Sequence, residues 1–335
     1  MRQRRFAGEM VPQSFLDVLA SLVDKSILIR EEQTGAVRFR LLETLREYGL
    51  EKLQQSGEEP EMRRRHRDWY HQLLLTVEAE WIGPRQLEWI ARLTREQSNL
   101  RETLEYCASD ADDSDIETGL RIGAATYLFW SARGLHAEGR HWLDRLLALP
   151  NGRSTAPRIK SLCVNSTLAA VQGDVSAGSR LVAEARRLAL ERSESLTDAY
   201  VDHADGLLAL FSGEHLHACS SFERALEVFR AEGELNRQVE ALELLGVAYD
   251  LLNDLPGTIR NFEEVLEITR SRGESVYRSY SCWGMGVALW RQMDWSGATA
   301  FSGEGLRLAQ RADEPLGAAV CIETLAWIAS SIGKA

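Results

Sequence analysis

Residues 237–269 read RQVEALELLGVAYDLLNDLPGTIRNFEEVLEIT, and this stretch decides the fold. Its first half places Ala241, Leu242, Leu245, Val247 and Ala248 near one face at helical spacing. Its second half, from Gly257, places Ile259, Phe262, Val265, Leu266 and Ile268 on another. Between them, Asn253-Asp254 interrupts both patterns, as a turn residue followed by a helix-starting acid does. Outward from here the punctuation recurs. Gln172-Gly173-Asp174, Ser212-Gly213-Glu214, Asn253-Asp254, Met293-Asp294 and Gly333-Lys334 put their turns near 173, 213, 253, 293 and 333, 40 residues apart. Ser166, Gly206, Gly246, Gly286 and Ala326 form a column of small side chains seven residues before each turn. Ala185, Ala225, Val265 and Gly305 form another twelve after it, and Val182, Phe222 and Phe262 a large apolar one that Ser302 breaks. Small residues inside helices predict close helix crossing, since Gly there otherwise costs about 1 kcal/mol against Ala.

Such units resemble tetratricopeptide repeats with lengthened helices: a small residue in the first helix, a Gly-Asp turn, Ala and Phe in the second. That repeat usually spans about 34 residues and HEAT-type repeats about 40–47, and no recurrent proline argues for the latter. A divergent first unit is expected over 117–150, with its turn at Arg133-Gly134 and Trp142, Leu143 and Leu146 on its apolar face. The predicted fold class is all-α, a tetratricopeptide-like solenoid of period 40 over residues 116–335.

The front of the chain differs. Residues 14–25 form an amphipathic helix, Ser26–Glu32 and Val37–Leu42 are the good strand candidates around a turn at Gln33-Thr34-Gly35, and Glu43–Gln55 is a second helix. Helix, two-stranded wing and helix make up a partial winged helix over residues 1–57. Two further helices, one with Trp69 and Tyr70 and one with Trp89, Leu93, Leu100 and Leu104, form a linker region over 58–115 that ends in the acidic stretch Ser109–Asp115.

Composition narrows the function. The 335 residues carry a formal charge of −11 and are 44% apolar, which argues against a nucleic-acid surface spread over the chain. With no apolar run of membrane length and no signal-type core, a cytoplasmic chain is expected. Five scattered cysteines, Cys107, Cys163, Cys219, Cys282 and Cys321, never form a CxxC pair and fit a reducing compartment.

Two stretches at the front, Leu19-Ala-Ser-Leu-Val-Asp-Lys-Ser-Ile-Leu and Arg38-Phe-Arg-Leu-Leu-Glu-Thr-Leu-Arg-Glu-Tyr, resemble a bacterial family. So do Asn99-Leu-Arg-Glu-Thr-Leu-Glu and Gly139-Arg-His-Trp-Leu-Asp-Arg-Leu-Leu-Ala-Leu-Pro. The family comprises the signal-transduction (STAND) ATPase transcriptional regulators of LuxR-family or AfsR-like type. These join a P-loop domain, a winged helix and a tetratricopeptide sensor array, often with a helix-turn-helix domain. The resemblance implies ATP binding and transcriptional control for an intact parent protein, with a nucleotide-binding domain in cis. This sequence lacks G-x-x-x-x-G-K-[ST], so the phosphate cradle is missing and no cofactor is expected in this chain. It reads as the middle section of such a regulator, with an open last repeat and a possible homo-oligomer through it; the alternative is a stand-alone tetratricopeptide adapter.

Candidate chemistry is sparse. His203, His215, His217 and Cys219 lie close in sequence, but without metal-ligand spacing they read as ordinary side chains. With no nucleophile or metal motif, no enzyme and no metal site are expected. Arg63-Arg64-Arg65-His66-Arg67 sits beside Glu58, Glu59 and Glu61, and residues 1–70 carry 13 basic against 12 acidic groups, so a salt-bridged face is favoured over direct nucleic-acid contact. The binding candidate is a concave groove lined by Tyr280, Trp283, Val287, Trp290 and Arg291, joined by Trp327. Its equivalents in earlier units are Tyr200, His203 and Leu207, then Glu240, Glu243 and Asp250. An aromatic and acidic groove suits a protein or peptide partner or a small inducer ligand. The competing reading buries these aromatics between the longer helices as core.

Overall fold

The computed structural model describes residues 13–33, 36–109, 112–149 and 155–333. Thr34-Gly35 of the expected wing turn, residues 110 and 111 of the acidic linker, and Lys334 lie outside them. The chain divides into two compact units, Met1–His66 and Arg67–Ala335.

In the first unit, α1 (Gln13–Asp24) precedes β1 (Leu28–Gln33) and β2 (Ala36–Leu41), followed by α2 (Glu43–Ser56). The strands pair antiparallel, from Leu28 opposite Leu41 to Glu32 opposite Val37. Gly57, in the left-handed region at φ 75°, ends α2 and donates its N–H back to Gln54. This is the helix, hairpin, helix order that the alternation predicts. Helix α3 (Glu59–Glu80) opens with the basic run, where Arg63 pairs with Glu59 at 2.7 Å and Arg64 and Arg65 with Glu61 at 3.2 and 2.9 Å.

The second unit is an array of antiparallel helix pairs. After α4 (Gln86–Ala108) come α5 (Asp113–Ala132) with α6 (His136–Ala148), and α7 (Ala156–Val171) with α8 (Val175–Leu190). Then follow α9 (Ser195–Phe211) with α10 (His215–Glu232), α11 (Leu235–Leu251) with α12 (Leu255–Arg272), and α13 (Val276–Arg291) with α14 (Trp295–Ala312); α15 (Pro315–Ser331) follows. The all-α repeat class and its period of 40 are as the sequence predicts, with the second helices starting at 175, 215, 255 and 295. The expected turn residues share one backbone conformation. Gly134, Gly173, Gly213, Asn253, Met293 and Gly333 have φ of 64°, 78°, 80°, 59°, 61° and 69°. Asp174, Asp254 and Asp294 then cap the next helix, their carboxylates accepting the N–H of Ala177, Gly257 and Gly297. Glu214, one methylene longer, makes no such cap.

The small column does what close crossing requires. A Cβ on Gly206 would lie 2.9 Å from the Phe222 ring, and one on Gly246 2.8 Å from Phe262. Phe222, Phe262, Ala185, Ala225 and Val265 are buried.

The array also makes contacts that jump several repeats. Arg133, beside the first turn, pairs with Asp313 before α15 at 2.7 Å. The end of α3 and the start of α4, flanking the buried Trp81 and Ile82, meet the starts of three later helices, α7, α11 and α13. Lys160 donates to Glu78 Oε1 at 2.7 Å, and Asn236 donates to the Glu78 carbonyl at 2.6 Å. Gln86 donates to Glu274 Oε1 at 2.6 Å and accepts the N–H of Ser275 and Val276. Helix α4 and the C-terminal part of α3 therefore pack within the same compact unit as the repeats.

Candidate functional site

Helices α9, α11 and α13 each carry one stripe of the predicted groove residues, and the structure splits them into a closed half and an open half. The closed half lies toward the starts of these helices. Tyr200, His203, Leu207 and Glu240 are buried there, and Glu243 and Tyr280 are half-buried. Glu240 is the hub. Tyr127 Oη donates to its Oε1 at 2.5 Å and Arg237 Nη1 to its Oε2 at 2.7 Å, while His203 Nε2 stands 3.8 Å from that oxygen. The Arg237 guanidinium lies over the rings of Tyr127 (4.8 Å) and Tyr200 (5.4 Å). The hub is thus assembled from α5, α9 and α11, and Tyr127 is 113 residues from Glu240.

Electrostatics follows from that crowding. Burial would raise the Glu240 carboxyl, but Arg237, His203 and the Tyr127 hydroxyl together hold it below the usual carboxylate range. Burial pushes the His203 imidazole down to about 4, against the pull of Glu240, so it is neutral near pH 7. Burial and the neighbouring Glu240, Glu274 and Glu314 push Glu243 well above an ordinary carboxyl. Burial also raises Glu274 and Glu314, against the donors that Gln86, Tyr280 and nearby backbone N–H groups supply.

The open half lies toward the ends of the same helices. Val247, Asp250, Leu251, Phe262, Trp283, Gly284, Val287, Trp290, Arg291 and Trp327 line a pocket of about 320 Å³, mostly apolar. The Trp290 and Trp327 rings are 5.5 Å apart, and Trp290 Nε1 donates to Ser331 Oγ at 3.0 Å. At the rim Arg291 Nη1 pairs with Asp250 Oδ1 at 2.6 Å and Arg291 also donates to Asn253. Of the groove residues expected from the sequence, Asp250, Trp283, Val287, Trp290, Arg291 and Trp327 line this pocket together. Tyr200, His203, Leu207, Glu240, Glu243 and Tyr280 are not among the residues lining that pocket. They lie in the closed half, where Tyr127 of α5 reaches Glu240 and Arg237 of α11.

Sequence reasoning missed Tyr127, Lys160, Arg237, Glu274, Tyr277 and Glu314. A signal existed for three of them: Lys160 is 40 residues before Tyr200 in the groove column, and Arg237 and Tyr277 share a column three residues earlier. His203, His215, His217 and Cys219 do not converge: His217 pairs with Asp205 at 2.9 Å while His203 faces Glu240. Among the described residues no three His, Cys, Asp or Glu side chains are placed to hold one metal ion. No helix among them is long and apolar enough to cross a membrane.

No family model matches the chain. It is 28% identical over 291 residues to proteins of Mycobacterium tuberculosis and Mycobacterium bovis that carry the name HTH-type transcriptional regulator, matching over 84% of this chain. The chain spans 32% of the length of those curated relatives. Among solved structures it is similar to a signal-transduction ATPase with a tetratricopeptide repeat sensor from Pyrococcus horikoshii, with a TM-score of 0.54, 13% identity, and coverage of 93% of this chain and 49% of that one. The quorum sensor NprR from B. thuringiensis in its apo form matches with a TM-score of 0.50, 14% identity, and coverage of 80% and 71%. NprR in complex with its cognate peptide matches at 0.54, 16% identity, and coverage of 75% and 72%. At these identities the structural likenesses establish the helical-repeat fold.

Proposed function

We propose that this chain is the non-enzymatic sensor and scaffold region of a bacterial transcriptional regulator of the STAND ATPase type. The observation that carries the reading is the open tryptophan pocket, built on helices of a tetratricopeptide-like array that also carry the closed polar half. An inducer or peptide enters at Trp283, Trp290 and Trp327. Binding stabilises one curvature of the array, and the change passes through α3 and α4 toward the first unit, a partial winged helix, and on to a nucleotide-binding domain of the parent protein. A ligand shifts such an equilibrium only by its differential affinity for the two curvatures. The relatives named as transcriptional regulators and the sensor array of the archaeal ATPase support this reading.

The test is a titration of tryptophan emission with the low-molecular-mass and peptide fractions of source-cell extract. A fraction that shifts the emission of the native chain and not of a Trp283→Ala, Trp290→Ala variant of equal helicity supports the pocket. Equal shifts in both chains, or none in either, overturn it. A second reading is an adapter for a protein partner, for which the exposed apolar side chains Leu316, Ile322, Trp327 and Ile332 of α15 and the turn after it offer a surface. A native mass in source cells equal to that of this chain would favour the adapter.

A further inference from the structure

Of the four carboxylates gathered in the closed half, three are satisfied from within the chain. Glu240 has Tyr127 and Arg237. Glu274 accepts from Gln86 and from the N–H groups of Tyr277 and Arg278 at 2.9 and 3.0 Å. Glu314 accepts from the N–H groups of Leu316 and Gly317 and from the Tyr280 hydroxyl. Glu243 is the exception: it is half-buried, and no hydrogen-bond donor from the described residues reaches it. A second polar group there also lacks a partner. His203 is 2% exposed, and its Nε2 makes no hydrogen bond although it points within 3.8 Å of Glu240.

Among the described residues the nearby cations are already engaged. Arg237 is held by Glu240, Lys160 by Glu78, Arg133 by Asp313, and Arg291 by Asp250 at the far rim. One helical turn onward from Glu243 and Tyr280, about 5 Å along each helix, stand Val247 and Trp283, which line the apolar pocket. An unpaired carboxyl therefore stands one helical turn from an aromatic cavity of small-molecule size.

We propose that this stripe binds an organic cation, a protonated amine with an apolar body, its ammonium on Glu243 and its body among Trp283, Trp290 and Trp327. The proposal names the ligand class of the pocket and so rests on the function proposed above. Burial and the neighbouring Glu240, Glu274 and Glu314 push the Glu243 carboxyl well above the ordinary range when nothing is bound. The incoming ammonium favours the ionised carboxylate: whatever proton Glu243 carries goes to solvent as the R–NH₃⁺ to carboxylate contact forms, so charge is conserved. The Tyr277 hydroxyl, also without a hydrogen-bond partner among the described residues, can accept from the same ammonium. An anion would meet the four carboxylates with every nearby Arg and Lys already engaged.

Isothermal titration of the full chain with phenylbutylamine, phenylbutanol and phenylbutyrate tests this, since the three share a tail and differ in head charge. The amine is expected to bind at least about tenfold tighter than the alcohol, with the carboxylate weakest. Titration in two buffers of different ionisation enthalpy should show proton release with the amine, falling as pH rises, and none with the alcohol. Glu243→Gln should abolish the amine preference and the proton release while keeping alcohol binding, and Trp283→Ala should weaken amine and alcohol alike. Equal affinity for all three heads overturns the cation site and leaves the apolar pocket standing. Binding of none overturns the cation site, and the extract titration then decides the function separately.

Discussion

Phe262 is the residue on which the packing of two repeats can be put to a quantitative test. Its ring is 1% exposed and lies between two glycines, Gly246 of its own unit and Gly284 of the next. A Cβ at Gly284 would stand 2.2 and 2.3 Å from ring atoms Cζ and Cε2, and at Gly246 2.8 and 2.9 Å from Cζ and Cε1. Helix propensity alone says that Ala at either site stabilises by about 0.5–1 kcal/mol. Overpacking a buried ring costs about 1–3 kcal/mol, and the shorter distance puts Gly284 near the upper end. Gly284→Ala should therefore lose about 1–2 kcal/mol net, and Gly246→Ala less. The internal control is Gly303 in α14, where the nearest atom to a Cβ is the flexible Arg307 Nη1 at 3.7 Å, and Gly303→Ala should gain the propensity term. At about 2–4 °C per kcal/mol, melting followed by circular dichroism separates the signs. Phe262→Leu should recover part of the loss in the Gly284→Ala background. A Gly284→Ala chain that melts with Gly303→Ala, above the parent, would refute the reasoning.

Other consequences are equally direct. Met293 holds a left-handed turn (φ 61°) with its side chain 71% exposed, so Met293→Gly should gain about 0.5–1 kcal/mol, read as a higher urea midpoint. Glu240→Gln leaves buried Arg237 without its charge partner and should cost about 3–5 kcal/mol in urea unfolding, whereas Tyr127→Phe should cost only about 1–3 kcal/mol. The His203 imidazole, lowered from 6.5 to about 4, takes up its proton in the unfolded chain first. Stability should then fall as pH drops from about 6.5 to about 4, by up to about 3 kcal/mol, and His203→Phe should flatten that limb. Glu243 works with the opposite sign: raised by burial and its like-charged neighbours, it favours the fold at low pH and loses that contribution as pH rises, so Glu243→Gln should steady the alkaline side.

The repeat pairs were legible because each 40-residue unit meets the same demands. A turn must reach positive φ, so Gly or Asn recurs there, and a crossing must admit a ring, so Gly206 and Gly246 recur opposite Phe222 and Phe262. Gly284 escaped notice because the ring it admits belongs to the preceding unit, two residues out of the register of the visible column. The tryptophan pocket was legible for a related reason: Trp283, Val287 and Trp290 follow one helical stripe, and their neighbours Asp250 and Trp327 lie on the same face one unit away. The closed half was not legible. Whether Tyr200, His203 and Glu240 face a groove or each other depends on how much the array curves per repeat. That quantity sums small rotations over several units and leaves no mark on any local spacing. Tyr127 meets Glu240 across 113 residues, a distance that no periodicity of 40 divides.

The pairs that jump the array bear on how such a chain can change its length. In an open solenoid each repeat touches only its neighbours, so units can be added or lost with little penalty elsewhere. Here Arg133 meets Asp313 and Gln86 meets Glu274, 180 and 188 residues apart. Duplicating or deleting one 40-residue unit between the partners would carry each of them out of reach of the other. The number of units between Gln86 and Asp313 is set by closure, so gene duplication within this array would be selected against even when every unit folds.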